Sequence, residues 1–164
     1  MKPNITKIAN AILFMIENKV QNLNDKKLYS LLFLIEHNHL ETCGQKIFNE
    51  TFIKNSRNVD PKTVSEIFDI IANNEDLDEE DERLYIIQEL LDHIDIEILK
   101  KEKYIELKFI KMEEGFDSSL FTKDEFKTLD KLVNKYNNET PRKLANICFS
   151  IEKVRQTING DVII

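Results

Sequence analysis

The stretch that decides the fold is Asn24-Asp25-Lys26-Lys27-Leu28-Tyr29-Ser30-Leu31-Leu32-Phe33-Leu34-Ile35. Its leucines at positions 28, 31 and 32 and the isoleucine at 35 follow the i, i+3, i+4, i+7 spacing of one face of a helix. Either Asn24 or Asp25 can cap that helix at its N-terminus. The stretch therefore predicts a helix with one buried apolar stripe.

Helical periodicity returns at four further places, most of them with a recognisable start signal. Residues 5–16 carry an apolar stripe, and Asp60-Pro61 predicts a second helix with proline at its first position and its apolar face over 64–71. Thr122 and Glu125 form a capping box before the apolar positions of 126–136. Thr140-Pro141 begins a last predicted helix whose apolar side continues to Val154.

The hydrophobic period changes between Arg83 and Gly115. After a short predicted helix over 84–91, apolar and charged residues alternate over 94–98 and again over 105–109. Alternation on both sides of a polar turn at 100–103 predicts an antiparallel β-hairpin with one buried face. We therefore expect a single α+β domain over residues 1–164, mostly α, with about six helices and one small hairpin.

Composition and charge narrow the class of protein. The chain has 164 residues, 41% of them hydrophobic, but only three glycines and three prolines, which favours a helical globular protein over a turn-rich β-sandwich. The net charge is −7, and one eight-residue segment contains seven carboxylates, so the remainder is balanced. The acidic residues of this segment are our candidates for binding a basic partner: Glu75, Asp76, Asp78, Glu79, Glu80, Asp81 and Glu82. The alternative interpretation is a solvated loop.

No pattern typical of a catalytic, metal or cofactor site is found. The glycines are isolated, which excludes a phosphate loop, and no serine lies in a Gly-x-Ser-x-Gly turn. An EF-hand beginning at Asp76 would need Gly and Glu where Asp81 and Ile87 stand. We interpret His37 and His39 as surface or helix-end residues, and Cys43 and Cys148 as unpaired residues that are buried or half-buried. A less favoured enzyme hypothesis would combine Glu36, His39 and Cys43.

Targeting signals are also missing from the sequence. No apolar run approaches the 18 or more residues of a membrane span, and the N-terminal stretch lacks a small-residue cleavage site. We expect a soluble protein of the cytoplasm, without a membrane or cofactor partner.

The first half of the chain resembles the Panacea domain, also called the SocA-like antitoxin domain. The motif begins with Lys27-Leu28 and Leu31-Leu32-Phe33, continues with an acidic residue and a His-Leu pair, and ends with a glycine and a phenylalanine. The matching positions are Lys27, Leu28, Leu32, Phe33, Glu36, His39, Gly44 and Phe52. Because both Leu32 and Phe33 match, we expect Leu32 to be fully buried and Phe33 largely so. Gly44 is predicted to end the helix in a left-handed conformation.

The resemblance extends in outline over about residues 23–151, with differences. The family's Gly-Pro-Val signature falls near Arg57-Asn58-Val59, where only Val59 agrees, and its histidine and tryptophan fall near Phe149 and Val154. The resemblance implies a non-enzymatic antitoxin of bacteria, phages or prophages. Such a protein would neutralise a toxin encoded next to it, or present that toxin to a protease of the ClpXP type.

Two further points stay open at the level of sequence. The main alternative function is a helical DNA-binding transcription regulator, although the acidic balance argues against a nucleic acid partner. Besides the acidic segment, residues 45–59 and the apolar tail Gly160-Asp161-Val162-Ile163-Ile164 are candidate contact segments. The tail must pack on its own domain, pair as a strand or be bound by another protein.

Overall fold

A computed structural model describes residues 2–164, which form an α+β structure that is mostly helical, as predicted. In that part of the chain there are seven α-helices and two antiparallel sheets of two strands each. The elements in chain order are α1 (Ile5–Glu17), α2 (Asp25–Cys43), β1 (Phe52–Lys54), β2 (Val59–Pro61), α3 (Lys62–Ala72), α4 (Glu82–Leu91), β3 (Ile94–Lys100), β4 (Ile105–Lys111), α5 (Lys123–Lys135), α6 (Pro141–Ser150) and α7 (Glu152–Gln156), with one 3-10 turn at Ser118–Leu120.

Helix α2 lies at the centre, in contact with α5 and α6 and with strands β2 and β4. Its N-cap is Asn24, whose side-chain oxygen accepts the Lys27 backbone N–H at 2.8 Å. Because neighbours surround it, α2 buries residues outside its predicted stripe. Leu32 and Phe33 are exposed by 1% and 0%, so both predictions are confirmed.

The C-terminus of α2 is the predicted left-handed cap. Gly44 has φ of +74°, and its N–H donates to the Leu40 carbonyl at 2.9 Å. A residue without a Cβ adopts this conformation at no steric cost, so Gly44 turns the chain toward β1.

Besides the cap at Asn24, two predicted helix starts are confirmed and one is wrong. The Thr122–Glu125 capping box begins α5, and the Thr140 hydroxyl caps α6 by accepting the Lys143 N–H. The helix predicted from Asp60-Pro61 instead begins at Lys62, because Asp60 and Pro61 are the end of β2. The short β1–β2 sheet itself was not predicted.

The last predicted helix is interrupted at Ile151. This residue is extended, with φ of −72° and ψ of 129°, and it separates α6 from the five-residue α7. The Ser150 hydroxyl donates to the Ile147 carbonyl at 2.6 Å, where it satisfies an acceptor at the helix end and competes with continuation of the helix. Val154 is still fully buried.

Strands β3 and β4 form the predicted hairpin, with Ile96 opposite Phe109 and Ile98 opposite Leu107. On the face that packs on the helices, the buried residues are Ile94, Leu107 and Phe109. Toward the turn the same face is open, since Ile98 and Ile105 are each 37% exposed.

The C-terminal tail packs on its own domain and also pairs as a strand. The Ile163 N–H donates to the Phe52 carbonyl at 2.8 Å, and the Phe52 N–H donates to the Ile164 carbonyl at 2.9 Å. Val162 forms a bridge with Ile53, and Ile163 is only 4% exposed. The tail therefore covers the free edge of β1.

Candidate partner-binding site

Glu36 attaches the loop after α2 to the helix itself. Its side chain is fully buried, and its carboxylate accepts the backbone N–H groups of Ile47 at 2.5 Å, Phe48 at 2.9 Å and Glu50 at 3.2 Å. Burial raises the pKa of the Glu36 carboxyl above its ordinary value, and the three N–H donors oppose that rise. The carboxylate has a structural task, since it satisfies three backbone donors that would otherwise be unpaired in the interior.

Glu50, the last residue that Glu36 holds, caps the next helix. Its buried carboxylate accepts the N–H groups of Thr51 at 2.9 Å, Thr63 at 3.3 Å and Val64 at 3.0 Å. The last two are free donors in the first turn of α3, so Glu50 caps this helix although it lies outside the helix in the chain. Burial also raises the pKa of Glu50. The two carboxylates act in series and connect α2 to α3.

Lys27 is a fully buried lysine at the start of α2. Its ammonium donates to the carbonyl oxygens of Gln21 at 2.5 Å and Asn137 at 2.7 Å. Burial lowers the pKa of Lys27 to about 8. The lysine thus connects α2 to the segment that follows α5.

His39 is buried, which contradicts its interpretation as a surface or helix-end residue. It is 3% exposed because α5 packs over it, and its Nδ1 lies 2.9 Å from the Thr128 hydroxyl oxygen. That hydroxyl donates its hydrogen to the Asp124 carbonyl, so its oxygen can accept a hydrogen bond from an N–H at Nδ1 of His39. His37, six residues before the end of α2, is half-buried.

The residues of the enzyme hypothesis do not converge. The Glu36 carboxylate accepts backbone N–H groups of residues 47–50, and His39 is hydrogen-bonded to Thr128. Cys43 is exposed at the end of α2, which contradicts the expectation of a buried or half-buried thiol. Cys148 is buried, and burial raises its pKa to about 12. Among residues 2–164, no three His, Cys, Asp or Glu side chains are placed to share a metal ion.

The family-motif positions lie almost entirely in the interior. Seven of the eight are buried, and Gly44 is exposed. The Phe33 and Phe52 rings pack edge to face with centroids 5.4 Å apart. These residues build the fold, so contacts with a partner must come from other parts of the surface.

The acidic segment joins α3 to α4 and is largely open to solvent. Asp81 has a structural role, because it caps α4 through the Arg83 N–H and pairs with the Arg83 guanidinium at 2.8 Å. The hydrogen bonds from Arg83 hold the pKa of Asp81 below its ordinary range. The other six carboxylates are exposed. We call residues 75–82 the acidic loop.

Residues 45–59 contribute more to the core than to the surface. Ile47, Phe48, Phe52 and Val59 are buried, whereas Ser56 and Arg57 are exposed at the turn between β1 and β2. Arg57 and Asn58 line a groove of about 580 Å³ against α6, together with Arg142 and Phe149.

This groove brings together three of the four positions at which we noted a difference from the family pattern, whereas the fourth, Val154, is buried and does not line it. Sequence reasoning identified Arg57-Asn58 and Phe149 separately but did not place them together. They are some ninety positions apart in the chain, and only the packing of α6 against the turn brings them to one surface.

A comparison with protein families identifies the family of this chain. The family described as "Antitoxin SocA-like, Panacea domain" matches residues 28–152, which is most of the chain. The chain belongs to the SocA-like Panacea domain family. The suspected resemblance over residues 23–151 is thereby confirmed. No match was found among curated proteins or among solved structures.

In structural terms the Panacea domain runs from the buried Leu28 of α2 to the first residue of α7. Helix α1 and the tail that covers β1 lie outside the matched region. Membership indicates an antitoxin-like role in general, in a family not known as enzymatic, and implies a protein partner such as a toxin. None of the helices between residues 2 and 164 combines the length and the hydropathy that crossing a membrane requires.

Proposed function

We propose that this Panacea domain protein neutralises a toxin encoded next to it by binding the toxin directly, without catalysis. The observation that carries the proposal is how the polar motif residues are used. Glu36, His39 and Lys27 are buried and hydrogen-bonded within the fold. The family's common residues therefore supply a scaffold, and the exposed surface selects the partner. The proposed setting is the cytoplasm of a bacterium, with the gene in bacterial, phage or prophage DNA.

The acidic loop is the part of that surface best suited to attract a toxin. It holds seven carboxylates in a chain whose net charge is −7, so the excess negative charge of the protein is concentrated there. A concentrated charge raises the association rate of an oppositely charged partner more than it changes the dissociation rate. We therefore assign the loop to the first encounter with a basic toxin.

The test is co-expression with the neighbouring gene, followed by binding kinetics with the purified pair. In the loop variant Asp76→Asn, Asp78→Asn, Glu79→Gln and Glu80→Gln are combined. We expect the on-rate to fall about tenfold and the off-rate to change less, because steering acts before contact. Added salt should reduce the difference, since it screens exposed charges.

A matched control removes the same charge elsewhere. Glu97→Gln, Glu102→Gln, Glu113→Gln and Glu114→Gln affect four carboxylates that are also exposed but lie on or beyond the hairpin. Equal slowing in both variants would contradict a specific role for the loop. If the neighbouring product is neither bound nor toxic when this protein is deleted, the antitoxin proposal fails.

Delivery to a ClpXP-type protease is the second way such a protein could act. The two are separated by following toxin levels in cells with and without that protease. Direct neutralisation leaves the toxin intact in a complex. Delivery removes it, and the toxin reappears when the protease is deleted.

A further inference from the structure

Helix α4 is an apolar helix that its own fold covers poorly. Six of its ten residues are apolar or aromatic, yet Leu90 is the one fully buried residue among them. Tyr85 is 62% exposed and Leu91 37% exposed. A helix of this composition is normally buried on one face, so α4 has apolar surface available for a further contact.

That surface forms one wall of a groove. The groove lies between α4, the start of α3 and the N-terminal end of α1, and has a volume of about 610 Å³. Ile5, Ile67 and Ile86 contribute an apolar side chain from each of the three helices, and the Tyr85 ring stands beside them. A groove of this size accommodates one or two large apolar side chains.

Acidic groups surround this apolar floor. Glu66, Glu82 and Glu89 line the groove, and the cations among its lining residues are Lys2, just before α1, and Arg83. Glu89 also accepts the Thr6 hydroxyl at 2.8 Å through one of its two oxygens. The Arg83 guanidinium is paired with Asp81 at 2.8 Å and with Glu66 at 3.1 Å, so the charges of Arg83 and Glu66 are compensated within the molecule. Glu82 and Glu89 have no ion-pair partner within residues 2–164, so they are the carboxylates of the rim that remain for a partner. Glu82 is both the last residue of the acidic loop and the first of α4, so the charge of the loop continues into the groove.

We infer that the groove between α1, α3 and α4 binds a segment of the toxin in which lysine or arginine residues flank a large apolar side chain. The inference rests on the proposed function and adds the site and the chemistry of the partner. The apolar side chain occupies the floor beside Tyr85, and the flanking cations contact Glu82 and Glu89 on the rim. The acidic loop attracts the segment, and the groove holds it.

Part of the groove lies outside the matched family region. Ile5 belongs to α1, which precedes residue 28, whereas α3 and α4 lie within residues 28–152. The groove is therefore a property of this chain as a whole, and the Panacea region alone does not form it.

The experiment compares two tyrosines of equal exposure, Tyr85 at 62% and Tyr104 at 61%. The probe is the purified product of the neighbouring gene, and the measured quantity is the dissociation constant of each single variant of the full chain. Tyr85→Ala should weaken binding at least tenfold, mainly through a faster off-rate, and Tyr104→Ala should change it less than twofold. Thermal melting of both variants checks that each stays folded.

A second measurement identifies the bound segment. A photo-reactive phenylalanine analogue at position 85 is cross-linked to the toxin, and the attached peptide is sequenced. A segment with lysine or arginine around a large apolar residue supports the inference, and an acidic or purely polar segment overturns it.

The remaining outcomes are also decisive. If the toxin binds wild type and both tyrosine variants equally, the groove is not the site, although the proposed function stands. If Tyr85→Ala changes self-association in sedimentation and leaves toxin binding unchanged, the occupant is a second copy and the inference is wrong. If the wild type does not bind the neighbouring product, the proposed function fails, and the inference fails with it.

Discussion

Two buried carboxylates show how much of this structure depends on single residues. Glu36 and Glu50 each accept three backbone N–H groups, and Glu36 holds the residue that caps α3. An acceptor that is removed from the interior leaves its donors unpaired, which costs more than the net value of the bonds themselves.

Replacement of Glu36 by alanine should therefore destabilise the protein strongly. Three N–H groups lose their acceptor, and we expect the free energy of unfolding to fall by about 3 kcal/mol or more. Urea denaturation measures the change. Glu41→Ala, at an exposed position of the same helix, is the control and should cost well under 1 kcal/mol. Equal effects of the two changes would show that the carboxylate does not hold the loop.

Lys27 makes stability depend on pH above neutrality. Its pKa is about 8 in the fold against 10.5 for an ordinary lysine, so between these values the unfolded chain binds a proton that the folded protein has released. Stability contributed by this group therefore rises with pH across the window. We expect the wild type to gain stability relative to Lys27→Met between pH 7 and 9.5, as measured by denaturation at each pH. A difference that stays constant with pH would contradict the lowered pKa.

At the scale of elements, the Gly44 cap tests whether backbone conformation alone ends α2. A Cβ placed on Gly44 meets nothing within 4 Å, so Gly44→Ala introduces strain from the positive φ without a clash. We expect a loss of about 1 to 2 kcal/mol in unfolding free energy. Gly44→Asn should lose less, because asparagine adopts the left-handed conformation more readily. Equal losses for both variants would point to a cause other than φ.

The sequence predicted elements whose signals are local and missed features that depend on distant residues. The capping box at Thr122, the glycine at 44 and the alternation over 94–109 all involve neighbours in the chain, and each is confirmed. The start of α3 was predicted at Pro61, one residue early, and nothing in the sequence around Lys62 shows that Glu50 caps its first turn from twelve residues earlier.

The candidate site was harder to predict than the fold for the same reason. The acidic loop is visible as composition. The groove beside it was not, because Ile5 and Ile67 belong to the predicted apolar faces of two separate helices and nothing in the sequence places Ile86 of a third helix next to them. Likewise the local sequence predicts His39 to be a surface or helix-end residue, and the packing of α5, which is distant in the chain, buries it.

At the scale of the whole molecule, charge predicts the behaviour toward nucleic acid. The net charge of −7 opposes binding to duplex DNA, and the groove at α6 offers only a few cations, such as Arg57 and Arg142, where DNA-binding proteins make many phosphate contacts. We expect no salt-sensitive binding in fluorescence anisotropy with labelled duplex at 150 mM salt. Micromolar binding that weakens steeply with added salt would favour the regulator hypothesis instead.

The central position of α2 also has a consequence for synthesis of the chain. Three residues of α2 find their partners far along the chain: Lys27 contacts Asn137, His39 contacts Thr128, and Ser30 contacts Cys148. These partners are translated about ninety to a hundred and twenty residues later. At about 5–20 residues per second, α2 would wait roughly 5 to 25 seconds on the ribosome before these partners emerge. During that interval the apolar residues of α2 that α5 and α6 later cover have no native neighbours, so we expect the nascent protein to be a client for chaperones. Folding of the core should then be a late, post-translational event that involves both halves of the chain at once.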